Sequence, residues 1–115
     1  MSVTTEPGPA ISDAHALQQL AERYPFTTTL DVPPVDNDPH WHRFDAEFYI
    51  LDGDLILTGA DNTTHYCPTG TKVVVPQGAV HAEKSQGYRI ALGTSLQPSE
   101  YGDPVDRPVS ELADT

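Results

Sequence analysis

The chain has 115 residues, 17 Asp and Glu against 6 Lys and Arg, and a formal net charge of -11. A domain of this length buries roughly 65% of its unfolded surface, enough for one core without disulfide staples, while so negative a surface repels phosphate backbones and anionic lipid and excludes nucleic acid and membrane as expected partners. No apolar run nears the ~18 residues of a membrane span, Met1 to Ala10 lacks the basic start and apolar stretch of a secretory signal, and the single Cys67 cannot close an internal disulfide, so a cytoplasmic protein is expected.

Residues 1–11 (MSVTTEPGPAI) are small, polar and Pro/Gly-bearing and read as a mobile leader. One helix is predicted over 12–24: Ser12 caps it, Asp13 suits its first turn, Leu17, Leu20, Ala21 and Tyr24 share a face, and Pro25 ends it. From Phe26 onward short β-branched and apolar runs alternate with turn chemistry. Thr27 to Leu30 is extended in character, 32–39 (VPPVDNDP) is a loop, and Glu47–Leu51 and Leu55–Thr58 flank the hairpin signal Asp52-Gly53-Asp54. Turns at Asp61-Asn62, Pro68-Thr69-Gly70 and Pro76-Gln77-Gly78 separate further strands at Val73–Val75, Val80–Lys84 and Tyr88–Leu92. Turns every 8–10 residues predict an all-β antiparallel sandwich or barrel over 12–95, including the helix. Residues 96–115 carry three Pro and five acids and read as a tail; one domain is expected.

Two clusters carry chemistry. In His40-Trp41-His42 the two imidazoles share a strand face, and Glu47 opens the next strand and is expected to return a carboxylate to that face. Downstream, Gly70 is followed by Pro76-Gln77-Gly78 and then His81. Three imidazoles and a carboxylate suit a divalent first-row metal, and four protein ligands on an octahedral ion leave two positions for substrate, water or oxygen.

This arrangement resembles the cupin superfamily over Asp38 to Leu92. His40, His42 and Glu47 fit the first cupin motif, with Gly53 one residue early; Gly70, Pro76, Gly78 and His81 fit the second in order, with Ser85 where the motif ends in Asn. The resemblance implies a double-stranded β-helix (jelly-roll) barrel with one short N-terminal helix, and metal ligands His40, His42, Glu47 and His81 inside it. It points most often to dioxygenases, with iron the expected metal and Mn, Ni, Zn or Co as alternatives.

Strand parity then places Tyr49, two residues after Glu47, inside the barrel as packing or as a phenolic base, with Leu51 and Phe44 as apolar wall. Glu83, two after His81, is expected to face inward as a ligand orienter or proton shuttle, and Arg89 to pair with it or with a substrate carboxylate. Trp41, Arg43, Phe48 and Ile50 have the opposite parity, which predicts an outer face suited to a homodimer. His65 reads as surface, His15 as structural or exposed, and Cys67 has no base at suggestive spacing. The expected activity is a metal-dependent, dioxygenase-type reaction on a small organic acid or carbonyl compound. A non-oxidative lyase or isomerase using Tyr49, and a non-catalytic small-ligand binder, are the alternatives.

Overall fold

Ser12 opens the helix as its chemistry dictates: the hydroxyl accepts from the His15 backbone N–H at 3.2 Å, and α1 runs over Asp13–Ala21. It stops one turn before Pro25, with the N–H groups of Arg23 and Tyr24 both on the Leu20 carbonyl, which turns those two side chains toward the neighbouring sheet. The computed structural model describes residues 2–112; Met1 of the expected leader and residues 113–115 of the expected tail lie outside them. Strand β1 (Thr4–Glu6) precedes α1, and β2 (Phe26–Val32), β3 (Val35–Asp36), β4 (His40–Trp41), β5 (Ala46–Gly53), β6 (Leu55–Gly59), β7 (Thr64–Cys67), β8 (Lys72–Val75), β9 (His81–Ser85), β10 (Tyr88–Thr94) and β11 (Arg107–Pro108) follow it.

The strands form two antiparallel sheets, one in the order β1-β8-β5-β10-β2 and one in the order β11-β4-β9-β6-β7, with β3 also on β9. This is the expected all-β jelly-roll architecture with one helix. The leader, expected to be mobile, and the C-terminal tail both take part in it. Thr4–Glu6 pair with Lys72–Val74, and Arg107–Pro108 pair with His40–Trp41. The expected Asp52-Gly53-Asp54 turn joins β5 to β6; Gly53 has a φ of 79, and a Cβ there would stand 2.6 Å from the Gly87 carbonyl oxygen, so only glycine fits.

The core lies between the sheets and holds Phe44, Ala46, Phe48, Ile50, Leu55, Leu57, Val73, Val75 and Ile90. Because residues alternate across a strand, burying Ala46, Phe48 and Ile50 sends Glu47, Tyr49 and Leu51 to the other face of β5. That outer face is covered by α1, where Ala16 and Leu20 pack on Ala91 with Tyr24, Tyr49 and Leu51 around them. The closest approach is at Gly93, where a Cβ would meet Tyr24 Cδ2 at 2.9 Å. The expected facing of β5 is therefore inverted. Phe48 and Ile50 are core residues and not a subunit-packing face, and Leu51 lies under the helix, while Phe44 lines the interior as expected.

Cys67 is fully buried, and burial pushes its thiol up to about 11. With a reference value near 9, the thiolate fraction at pH 8 falls on the order of 100-fold. A disulfide reagent such as dithionitrobenzoate is expected to modify native protein at least ~100-fold more slowly than urea-unfolded protein at that pH. Equal rates would show that β7 opens readily. Among the described residues, no helix is long and apolar enough to cross a membrane.

Candidate metal centre

β4 and β9 are antiparallel neighbours with His40 directly opposite His81, which sets two imidazoles side by side across one rung. His42 follows on the same face as His40, and Glu83 follows His81 on β9 by the same alternation. One ligand atom from each of His40, His42, His81 and Glu83 lies within 4.8 Å of all the others. The three rings sit 4.4 to 5.0 Å apart by centroid.

Hydrogen bonding fixes the state of each ring. Nδ1 of His40 lies 2.9 Å from the Asp38 carbonyl oxygen, Nδ1 of His81 lies 2.9 Å from that of Ala79, and Nδ1 of His42 lies 3.1 Å from that of Val105. A carbonyl can only accept, so each Nδ1 carries the proton and each neutral ring presents a bare Nε2. Two of these Nε2 atoms face the same carboxylate oxygen: Glu83 Oε1 is 3.1 Å from His40 and 3.4 Å from His81. Two lone pairs and an anion at such distances repel unless a cation stands among them, either a proton or a metal. Ligand bonds of ~2.1 Å place neighbouring donors about 3.0–3.4 Å apart on an octahedral or tetrahedral ion. Glu83 Oε1 with the Nε2 atoms of His40 and His81 therefore fits a divalent transition metal in identity, tautomer and spacing, and His42 completes the donor set within 4.8 Å.

The electrostatics agree. Burial opposes the Glu83 charge, but His40 and His81 outweigh it and hold the carboxyl well below the usual range. Burial likewise opposes a charged His40, and Glu83, the Asp38 carbonyl and Asp106 together raise its pKa. For His42 burial prevails, reinforced by the neighbouring His81 and His40, and its pKa is lowered. Tyr88, buried at 7% exposure, donates its hydroxyl to Glu83 Oε2 at 3.2 Å. Burial first, and then the Glu83 charge, push that phenol far above its ordinary value, so it stays a donor. Asn37 clamps the backbone of Glu83 from the other side: its Oδ1 accepts from Glu83 N at 2.7 Å, and its N–H donates to Glu83 O at 3.1 Å.

Glu47, expected as the fourth ligand, is elsewhere. It is buried at 4% exposure on the outer face of β5, where Arg23 Nε donates to its Oε1 at 3.3 Å, the Arg23 terminal nitrogen reaches Oε2, and the Tyr24 hydroxyl donates at 3.3 Å. Burial and then the Glu47 charge push the Tyr24 phenol up to about 12. The spacing matched the motif, but the apolar residues on either side decide the facing. Tyr49 shares this outer face, packed beneath α1 and away from the histidines, and so is placed for no reaction there. Arg89 reaches Asp13 of α1 at 2.5 Å rather than Glu83. Expected as an orienter, Glu83 instead stands among the potential ligands. Sequence reasoning missed Tyr88 as its partner, Asn37 as its clamp, and the contribution of residues 101–108. Tyr88 was visible only as the first apolar residue of a strand.

The centre lies at one end of an interior cavity of about 260 Å³. Val32, Phe44, Phe48, Leu57, Ile90 and Leu92 make most of the wall, and His42, His81, Glu83 and Tyr88 make the polar end. This volume sits just below the roughly 300–1,000 Å³ of sites for drug-sized ligands, so the cavity suits a small molecule with an apolar body and one polar end.

No protein-family model and no curated protein matches the chain. Solved structures do. The TDP-quinovose 3,4-ketoisomerase of Campylobacter jejuni superimposes with a TM-score of 0.64 at 13% identity, covering 98% of both chains. The acireductone dioxygenase of Bacillus anthracis, with a cadmium ion in its active centre, gives 0.59 at 14% identity, over 84% of this chain and 79% of that one. A DUF861 family protein of Thermotoga maritima gives 0.58 at 20% identity, over 79% and 97%. The chain spans only 29% of the length of a longer DUF861 family protein, from Pseudomonas syringae. At these identities the likeness speaks to the fold alone, and the fold is shared: the chain has a cupin-type jelly-roll fold.

Proposed function

We propose that this protein is a metal-dependent cupin enzyme acting on a small organic acid or carbonyl compound, with dioxygenase-type oxidation as the reaction class and iron as the working metal. One observation carries the reading: three imidazoles, each with Nδ1 on a backbone carbonyl, gather around Glu83 at the end of an apolar cavity, and two of them, His40 and His81, turn Nε2 toward its Oε1. His40, His42, His81 and Glu83 would hold the ion, and with one carboxylate among them the centre keeps a net charge of about +1, which favours an anionic or chelating ligand. When bound, such an ion supplies Lewis acidity and, if redox-active, a path for electrons to oxygen.

The chain's own residues do the rest. The wall of Phe44, Phe48, Leu57 and Ile90 excludes water and orients the apolar body of the substrate, leaving its polar end toward the histidines. Tyr88 keeps its proton and donates it in a hydrogen bond to Glu83 Oε2, and so holds the carboxylate with Oε1 toward His40 and His81. The non-oxidative alternative loses its expected base, since Tyr49 faces α1, and of the two tyrosines lining the cavity Tyr88 donates to Glu83 while the Tyr101 hydroxyl is engaged with Thr94.

Protein purified without a histidine tag is expected to carry close to one divalent metal per chain. It should consume oxygen when small carboxylates or diketones are supplied, and His81→Ala should lose both properties. Stoichiometric metal with no oxygen uptake across such a panel would overturn the oxidative assignment in favour of isomerase, lyase or binding chemistry. Failure to bind any divalent metal would overturn the whole reading.

A further inference from the structure

His40 and His81 take their orienting carbonyls from two residues back on their own strands, Asp38 and Ala79. His42 does not: the carbonyl that fixes its tautomer belongs to Val105, 63 positions away in the C-terminal segment. The same segment does more at this spot. Asp106 Oδ1 lies 3.7 Å from both His40 Nε2 and His42 Nδ1. β11 pairs Pro108 with His40 and Arg107 with Trp41, so the two-residue strand that carries His40 and leads into His42 is flanked on both sides, by β9 and by β11. Tyr101 stacks on Phe44 with ring centroids 4.0 Å apart, and with Val105 it closes one side of the cavity. The segment is fastened independently of any metal: the Trp41 indole N–H donates to the Pro108 carbonyl at 3.0 Å, the Arg107 guanidinium lies 5.5 Å from the Trp41 ring centroid, and the Tyr101 and Thr94 hydroxyls meet at 3.0 Å.

We propose that the strap from Tyr101 to Pro108 is a working part of the metal centre, positioning His42 through the Val105 carbonyl, so that strap docking and metal binding strengthen each other. This rests on the metal-binding reading given above. Without the carbonyl, the His42 ring is free to rotate and to carry its proton on either nitrogen, and only the Nδ1–H form offers Nε2 to an ion. Loss of such an orienting partner weakens metal binding about 10–100-fold. Coupling free energies are reciprocal, so an ion that prefers the docked strap must stabilise docking by the same factor.

Two measurements on the full-length protein test this. Cobalt(II) titrated into the chain and followed by visible absorption is expected to bind Tyr101→Ala about 10-fold more weakly than the natural protein. Tyr101→Phe, which keeps the ring on Phe44, is expected to stay within about 3-fold. Hydrogen exchange of the natural chain read by mass spectrometry is expected to slow about 10-fold over 101–108 when zinc is added. That second measurement stands even where Tyr101→Ala fails to fold. Cobalt bound equally by all three proteins, with strap exchange indifferent to zinc, would overturn the coupling and leave the metal centre standing. Cobalt that does not bind the natural protein would overturn the metal reading and the coupling with it.

Discussion

Glu83→Gln is expected to weaken divalent metal binding by more than ~100-fold, while Glu47→Gln leaves metal stoichiometry unchanged. The two glutamates lie on different sheets: Glu47 on the outer face of the first, and Glu83 on β9 of the second, lining the cavity. Glu83 Oε1 stands 3.1 Å from one Nε2 and 3.4 Å from another, whereas Glu47 is spent on Arg23 and Tyr24. Gln keeps the size of the side chain and the Tyr88 contact but removes the only anion among the four donors. Loss of an outer partner already costs 10–100-fold, so loss of a charged ligand should exceed that. Competition against a chromophoric chelator reads the affinity, and elemental analysis reads the stoichiometry. Metal lost from Glu47→Gln and kept by Glu83→Gln would mean that the motif spacing identified the ligand and the strand facing did not.

That contrast also marks what was legible in the sequence. Turn chemistry located the β5–β6 hairpin and the Pro76-Gln77-Gly78 reversal, because Gly and Pro state their backbone requirements locally. The helix was legible from its Ser12 cap and from Leu17 and Leu20. The three histidines were legible because His40 and His42 share parity and the reversal delivers His81 opposite His40. The carboxylate was misread although the signal was present. Phe44, Ala46, Phe48 and Ile50 form a four-residue apolar series of one parity, and a series of that kind defines the core face more strongly than a single acidic residue at motif distance. Glu47 falls on the other parity and is therefore obliged to face outward, where the turn before Pro25 delivers Arg23 and Tyr24 to receive it. The strap was illegible for a different reason. Arg107 and Pro108 have no local pattern that predicts pairing with a strand more than sixty residues earlier, and the Val105 contact to His42 is made by a backbone carbonyl, which every residue possesses.

The helix face and the metal face can be separated by experiment. Leu20→Ala is expected to destabilise the fold by about 2–5 kcal/mol, the range for truncating a buried leucine, because Leu20 is fully buried between α1 and the first sheet. For a domain of this size that corresponds to a fall in Tm on the order of 10–20 °C. Leucine burial outweighs the neighbouring Arg23–Glu47 pair here: the Arg23 side chain is 40% exposed, and water screens its charge. Leu20 packs on Ala91 among Tyr24, Tyr49 and Leu51, all on the outer side of the first sheet, while His40, His42, His81 and Glu83 belong to the second sheet and the segment leading from it. Metal affinity measured well below the new Tm should therefore stay within about 2-fold of the natural protein, since distant sites without shared partners act nearly independently. A Leu20→Ala protein that is fully folded yet has lost its metal would show that the first sheet transmits the position of α1 to the histidines, and the helix would then belong to the centre as much as the strap does.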